Sequence, residues 1–249
     1  MIDKDELNRI ASYKGISPRF AELDYFQDIA LFNIFREYGN SLAFKGGTCL
    51  YKVFQLNRFS EDLDFTARKG FKAKGFFERL PSFFEFLDIK SRAKVEQFQN
   101  SVNVLLEIEG IFFDGSPKSM TSLAFNISLR EGTSLPVQRH SYKSHYQELR
   151  AFDLFVLDEK EILSEKIRAI YERNKPRDIY DLWFLLKQRK VQFDQKLTNE
   201  KISVKFNIKN FIVKVGEKKT GWERDLAALV MGELPSFEQV VKEIEELMA

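Results

Sequence analysis

Apolar residues recur at helical spacing near both ends of the chain and alternate with polar residues in its middle. Ser17 followed by Pro18 is a helix-start signal, and Gly39 can end the helix that follows. The segments 102–113 and 122–129 alternate between apolar and polar positions and flank a turn-forming stretch. This pattern predicts an antiparallel pair of strands.

Most of the remaining chain is predicted to be helical, and its C-terminal part is helical almost throughout. The predicted helices cover 75–87, 158–173, 177–188, 222–230 and 237–248. The segment 191–219 suits either a helix or a strand. The order of these elements predicts a mixed α/β core over 1–157 and a helical region over 158–249 that packs on this core.

A short apolar run at 41–44 is followed at once by Lys45-Gly46-Gly47-Thr48 and then by a helix-compatible segment. These features predict a strand, a turn and the start of a helix. Paired glycines let the backbone approach a phosphate closely, and the free N–H groups of a first helical turn face the anion. The alternative is an ordinary tight turn, which a lone Gly-Gly pair favours.

Asp62 and Asp64 lie two apart in a segment that is predicted to enter a strand, so their side chains share one face. Two carboxylates on one face can bind Mg²⁺ together with substrate phosphates. Because about five acid-x-acid pairs are expected by chance in this composition, a solvated strand face is the alternative. The nearby glycine pair, Arg58 and Ser60 favour a site for a metal-bound nucleoside triphosphate.

Three charged residues of the C-terminal half are further candidates. Lys166 lies on the helix predicted at 158–173, where a surface lysine is the alternative. Asp178 and Asp181 share a face of the next helix. Asp178 could simply complement the helix dipole, whereas Asp181 stands beside strongly apolar residues and is less easily explained in this way.

Composition and charge narrow the class of protein. The chain has 249 residues, and its 39 Lys and Arg residues against 37 Asp and Glu residues give a net charge of +2. This balance excludes a uniformly basic nucleic-acid binder but permits a local basic surface. One cysteine excludes an intrachain disulfide. With no apolar run near the ~20 residues that span a bilayer and a polar N-terminus unlike a signal peptide, we expect a soluble cytoplasmic protein without membrane partners.

Four ordered segments resemble the AbiEii/AbiGii toxin family, which consists of nucleotidyltransferases of the DNA polymerase beta superfamily. The first motif is matched by 45–50 and by Arg58-Phe59-Ser60-Glu61-Asp62-Leu63-Asp64-Phe65. Leu163 to Lys166 with Ala169, and Arg177-Asp178 with Asp181-Leu182, resemble two later motifs. Trp222 and Leu226 resemble the family's C-terminal helices. The resemblance implies a nucleotidyltransferase fold with a mixed β-sheet core flanked by helices and a C-terminal helical region.

The resemblance also implies a role for each matching residue. An Mg²⁺-dependent enzyme would transfer a nucleoside monophosphate from an NTP to an acceptor hydroxyl and release pyrophosphate. Asp62, Asp64, Lys166, Asp178 and Asp181 are implied as catalytic, with Lys166 contacting the nucleotide phosphates. Lys45, Gly46, Gly47, Thr48, Arg58 and Ser60 are implied as nucleotide-binding, and Asp62, Asp64 and Asn126 as metal-binding residues.

One position departs from the superfamily pattern. Asn126 stands where the superfamily usually supplies a third carboxylate, and an asparagine can ligate a metal but adds no charge and cannot act as a base. Glu107, Glu109 or Glu131 could substitute for it. This departure motivates an alternative function, a catalytically lapsed module that binds nucleotide or RNA. A metal-dependent nuclease that uses the same acids is a third hypothesis.

The acceptor and the protein partner are expected from the family and from charge. An RNA acceptor, with tRNA as a candidate, and a cognate antitoxin of a type IV-like AbiE toxin–antitoxin system are implied. Basic residues cluster at Arg68, Lys69, Lys72 and Lys74, and again at Arg139, His140, Lys143, His145 and Arg150. Such clusters can follow a phosphate backbone, although solvated loops are the alternative for either one.

Overall fold

The computed structural model describes residues 2–130 and 132–248, apart from the side chain of Lys74. The chain forms two compact units that interleave along the sequence. The first unit comprises 2–49, 60–130, 132–133 and 137–156, and the second comprises 50–59, 134–136 and 157–248. The division into a core domain at 1–157 and a helical region at 158–249 stays a prediction.

The first unit contains a sheet and the helices of the N-terminal half. Its helices are α1 (Lys4–Lys14), α2 (Pro18–Tyr38), the start of α3 (Gly46–Phe54), α4 (Ala73–Arg79) and α5 (Ser82–Glu85). Its strands are β1 (Leu42–Lys45), β2 (Leu63–Ala67), β3 (Ser91–Gln97), β4 (Ser101–Ile108), β5 (Thr121–Ser128), β6 (Gln138–Tyr142) and β7 (Phe152–Val156). Short 3₁₀ helices occur at Gly39–Ser41 and Pro117–Ser119.

Within the described residues these strands form a seven-stranded mixed sheet with the order β3-β4-β5-β2-β1-β7-β6. Strand β2 is antiparallel to β1 and parallel to β5. The predicted antiparallel pair is confirmed as β4 and β5, which are joined from Ser101↔Ser128 to Ile108↔Thr121. This arrangement confirms the predicted mixed α/β fold and places β2 at the centre of the sheet.

Helix α2 is the organising helix of the first unit. The predicted start is confirmed, because the Ser17 hydroxyl accepts a hydrogen bond from the Phe20 N–H. Besides an apolar face, α2 buries polar side chains, and two of them bind the segment that follows β6. Asp28 accepts a bond from Ser144 Oγ at 2.6 Å, and Asp24 accepts one from Tyr146 Oη at 2.8 Å. These satisfied buried groups fix a loop that apolar packing alone would not orient.

The second unit is helical. It contains the end of α3, α6 (Glu159–Glu172), α7 (Arg177–Lys187), α8 (Gln195–Lys201), α9 (Ile208–Gly216), a 3₁₀ turn at Lys219–Gly221, α10 (Trp222–Leu226) and α11 (Phe237–Met248). The segment 191–219, for which helix and strand were both possible, forms two short helices, α8 and α9. Among the described helices, none combines the length and apolar content that crossing a bilayer requires.

Two predicted helices are shorter than expected. The helix predicted at 75–87 is interrupted between α4 and α5, where Pro81 supplies no N–H group to continue it. The helix predicted at 222–230 ends at Leu226, and the residues after it pair with the segment before β2. Phe59 N–H donates to the Leu229 carbonyl at 2.8 Å, and Met231 N–H donates to the Asn57 carbonyl at 2.8 Å.

Candidate active site

Gly46 lies at the junction of β1 and α3, as the predicted strand–turn–helix requires. Its φ of +78° falls in the left-handed region that favours glycine. A Cβ atom at this position would lie 2.2 Å from Asp64 Oδ2, far inside van der Waals contact. The backbone of the glycine turn and the Asp64 carboxylate are therefore direct neighbours in the first unit.

The Asp64 carboxylate also contacts the neighbouring strand. Asp64 on β2 pairs in register with Lys45 on β1 and with Asn126 on β5. Asn126 Nδ2 donates a hydrogen bond to Asp64 Oδ1 at 3.1 Å. Both side chains are half-buried. Asn126 thus contacts the carboxylate as a donor, whereas the sequence predicted a metal-binding oxygen at this position.

Asp62 precedes β2 and is half-buried. Within 2–130 and 132–248, no hydrogen bond or ion pair engages its carboxylate. Its backbone carbonyl accepts a hydrogen bond from Thr48 Oγ1 at 2.5 Å, and Thr48 is fully buried. The nucleotide contact of Thr48 stays a prediction, since the structure gives this hydroxyl a backbone partner. Ser60 and Gly47 are also buried.

Asp62 and Asp64 suit Mg²⁺ better than a metal whose ligands all come from the protein. Across the described residues, no group of three or more His, Cys, Asp or Glu side chains converges as a metal site would require. Mg²⁺ is commonly bound by one or two carboxylates, with substrate phosphates and waters completing its shell. The Asp64 carboxylate beside the glycine turn, with the half-buried Asp62 two positions earlier in the chain, fits that chemistry.

The substitutes considered for a third carboxylate are Glu107, Glu109 and Glu131. Glu107 accepts hydrogen bonds from Arg92 Nε at 2.6 Å and from Lys94 Nζ at 3.0 Å, which lower the pKa of its carboxyl group. Glu109 does not form a three-carboxylate cluster in the described part of the chain either. Glu131 lies outside the described residues. The replacement of the missing acid by Glu107, Glu109 or Glu131 therefore stays a hypothesis, and the contacts of Glu107 with Arg92 and Lys94 give no support for Glu107.

The second unit holds a buried ionic network built from α6, α7 and the segment before β2. Arg58 binds Asp181 bidentately, with Nε–Oδ1 and Nη2–Oδ2 distances of 2.7 Å. Lys166 Nζ lies 2.7 Å from Asp181 Oδ2 and 3.1 Å from Asp178 Oδ1. Arg173 Nε reaches Asp178 Oδ2 at 2.7 Å. The structure thus brings together all four site residues that were predicted from this unit.

The charges in this network compensate one another. Burial alone would raise the pKa of Asp181, but Arg58 and Lys166 hold that pKa below its usual range. Burial likewise opposes ionisation of Asp178, yet Lys166 and Arg173 lower its pKa. Arg58 is 1% exposed and both carboxylates are fully buried. Removing one partner therefore leaves an opposite charge uncompensated away from water.

We expect Asp181→Asn to lower the free energy of unfolding by about 3–5 kcal/mol, because Arg58 and Lys166 lose their shared counter-ion. Chemical denaturation at pH 7 measures this loss. The depressed pKa values add a pH dependence. The network stabilises the wild type fully above the unfolded aspartate pKa of ~3.9, and this stabilisation is lost as the pH falls through the lower folded values.

The matched control for Asp181→Asn is Asp225→Asn. Asp225 pairs with its exposed sequence neighbour Arg224 at 2.7 Å. Loss of an exposed pair costs at most about 1 kcal/mol. Equal losses in the two variants would contradict a buried, mutually dependent network.

In the two basic clusters, some side chains form contacts within the first unit and others are exposed to solvent. Arg68 Nη1 donates to the Asn40 carbonyl at 2.7 Å, and Arg139 pairs with Asp153. Lys69, Lys72, Lys143 and Arg150 are exposed. The side chain of Lys74 lies outside the described part of the chain. The contact of these surfaces with RNA stays a prediction.

Comparison of this sequence with the profiles of known protein families identifies its family. The profile of the nucleotidyl transferase AbiEii toxin family, described as part of a type IV toxin–antitoxin system, matches residues 29–243. The chain belongs to this family. It is therefore a nucleotidyltransferase of the toxin type, and the match spans the glycine turn, both aspartates and the buried network. A search of curated proteins found no match.

Solved structures show the same fold. MenT4, a nucleotidyltransferase toxin from Mycobacterium tuberculosis, is 19% identical, covers 100% of this chain and 89% of its own, and superposes with a TM-score of 0.67. JHP933 from Helicobacter pylori is 19% identical, covers 94% of this chain and 91% of its own, and has a TM-score of 0.64. At this identity, the likeness supports the nucleotidyltransferase fold.

Proposed function

We propose that this AbiEii family member transfers a nucleoside monophosphate from an NTP to a hydroxyl of RNA, with tRNA 3′ ends as the candidate acceptor. The reaction depends on Mg²⁺ and takes place in the cytoplasm, where a cognate antitoxin restrains the enzyme. The observation that carries the proposal is the direct contact of the Gly46 backbone with the Asp64 carboxylate. This proximity supports the proposal, because a glycine turn at a helix start can bind phosphate and a carboxylate beside it can bind Mg²⁺.

The reaction is a displacement at the α-phosphorus of the NTP. The acceptor hydroxyl releases its proton to solvent and its oxygen forms a new bond to this phosphorus. The bond from this phosphorus to the oxygen that bridges it to the β-phosphate breaks, and pyrophosphate leaves with that oxygen. Bound Mg²⁺ would supply charge stabilisation for the oxygens that gain charge. Asp62 and Asp64 would hold it, while Lys45, Gly46, Gly47 and Ser60 would bind and orient the triphosphate.

Nucleotide contact by Arg58, Lys166, Asp178 and Asp181 is a separate part of the proposal. The ion pairs of these residues support a structural role within the second unit. Lys166 is 7% exposed, and two carboxylates already compensate its charge. A catalytic role of this network predicts that Asp181→Asn loses more activity than the fraction of unfolded protein accounts for.

A lapsed module that binds nucleotide without transferring it is the second candidate. The observation that favours it is the hydrogen bond from Asn126 to Asp64, because a third carboxylate at this position would add negative charge instead. Metal binding would then rest on Asp62 and Asp64 without charge from β5. Nucleotide binding without transfer distinguishes this candidate from the enzyme.

The purified protein should transfer label from an α-labelled NTP to RNA in the presence of Mg²⁺, and Asp62→Asn should not. Each NTP is tested in turn with total RNA, and the product is resolved by gel electrophoresis. Sequencing of RNA 3′ ends after expression in cells then identifies the acceptor. Retained NTP binding without label transfer supports the lapsed module, and RNA shortened without added NTP supports the nuclease.

A further inference from the structure

The segment that leads into β2 is held by side chains rather than by strand pairing. Ser60, Glu61 and Asp62 precede the first residue of β2, Leu63. The carbonyls of Ser60 and Glu61 both accept hydrogen bonds from Gln27 Nε2 at 2.9 Å. The next carbonyl, that of Asp62, accepts from Thr48 Oγ1 at 2.5 Å. Three successive carbonyls are therefore fixed by two side chains.

The orientation of the Gln27 amide follows from its neighbours. A flipped amide would place Oε1 against two carbonyl oxygens, which are acceptors only. Gln27 is fully buried, and its Oε1 has no hydrogen-bond partner among the residues that the structure describes. A buried acceptor without a partner is unfavourable. Its retention in the core is explained by the two bonds that the other end of the amide donates.

Thr48 fixes the same segment from a different helix. It lies in the first turn of α3, directly after the glycine pair, and is fully buried. Gln27 belongs to α2. The contact of Thr48 with the Asp62 carbonyl also joins the glycine turn to the residue that carries the carboxylate. Two elements of the first unit thus determine the backbone position of Asp62.

The Asp62 carboxylate depends on this backbone for its direction. Its own oxygens have no protein partner in the described part of the chain, so side-chain contacts do not orient them. We propose that Gln27 and Thr48 are positioning residues that fix Ser60–Asp62 and thereby aim the Asp62 carboxylate at the metal. This role rests on the proposed function and assigns to Thr48 a task other than nucleotide binding.

A matched pair of variants at Thr48 tests the role. Thr48→Val keeps the β-branched shape and removes the hydroxyl, whereas Thr48→Ser keeps the hydroxyl. Binding of Mn²⁺ alone to the full chain is measured by electron paramagnetic resonance, and amide hydrogen exchange is followed in a peptide that covers 58–64. We expect Thr48→Val to weaken Mn²⁺ binding by about tenfold, as is typical when support for a metal ligand is lost.

Hydrogen exchange in 58–64 should accelerate in Thr48→Val, while Thr48→Ser should match the wild type in both measurements. Exchange that is unchanged in Thr48→Val overturns the positioning role, as does a Thr48→Ser protein that behaves like Thr48→Val. A wild type that binds no Mn²⁺, with exchange accelerated only in Thr48→Val, overturns the proposed metal site but upholds the fixing of the segment. In Gln27→Glu an acceptor replaces the donating amide nitrogen. Hydrogen exchange in 58–64 should therefore accelerate more in this variant than in Thr48→Val.

Discussion

Replacement of Asp64 by Asn should reduce nucleotide transfer by about a thousandfold or more, as loss of an essential catalytic group commonly does. Asp64 contributes negative charge beside the glycine turn, and an amide supplies none. The side-chain volume is nearly unchanged. Because the amide oxygen at position 64 can still accept the hydrogen bond from Asn126, the fold of the first unit should persist.

Initial rates with saturating NTP and Mg²⁺ measure the effect of Asp64→Asn, and thermal unfolding checks the fold. Asp88→Asn is the matched control, because Asp88 is an exposed carboxylate of the same unit and its left-handed backbone, with φ of +58°, also suits asparagine. The control should retain wild-type activity. Wild-type transfer by Asp64→Asn would exclude this carboxylate from metal binding and would contradict the proposed site.

Local sequence pattern was sufficient for the part of the site that lies close along the chain. Gly46 and Asp64 flank a single helix and the segment that follows it, and antiparallel pairing of β1 with β2 brings them together. A strand–turn–helix signal followed by an acid pair at the entry to the next strand therefore favours this proximity, although only Asp64 of the pair lies within β2. The pairing of β4 with β5 was predictable for the same reason, since a turn joins two alternating segments.

Edge strands were not predictable from the same signal. Strand β3 is an edge of the sheet and most of its side chains are exposed, as are several on β6 at the opposite edge. Strands of this kind lack the alternation of buried apolar and exposed polar residues that identifies a half-buried strand. These strands are held in the sheet by backbone hydrogen bonds, and backbone groups are the same for nearly every residue type, so the sequence does not reveal them.

Long-range polar contacts also escape sequence pattern. Arg58 and Asp181 are 123 positions apart, and nothing near either residue identifies the other as its partner. Gln27 lies in a helix whose apolar spacing is a reliable signal, but its donation to Ser60 and Glu61 depends on tertiary packing. A glutamine inside an otherwise buried helix was the available signal, because burial of an amide requires partners.

Gly46→Ala should lower transfer activity by about a hundredfold, the loss expected when a catalytic group is displaced by about 1 Å. A Cβ atom at this position would lie 2.2 Å from Asp64 Oδ2 and 2.8 Å from Asp64 Cβ, so the carboxylate must move. The left-handed φ of +78° adds backbone strain of about 1–2 kcal/mol. Activity is measured with saturating NTP, and stability is measured by chemical denaturation.

Gly70→Ala separates the two causes of this loss. Gly70 has a φ of +97°, yet a Cβ atom there would meet no heavy atom within 4 Å. It shares the unfavourable backbone conformation but not the collision with Asp64, so Gly70→Ala should lose stability and keep activity. If Gly46→Ala loses no more activity than Gly70→Ala, backbone strain alone explains the effect and the contact with Asp64 has no part in catalysis. A far greater loss in Gly46→Ala means that the turn must lack a side chain for the Asp64 carboxylate to occupy its working position.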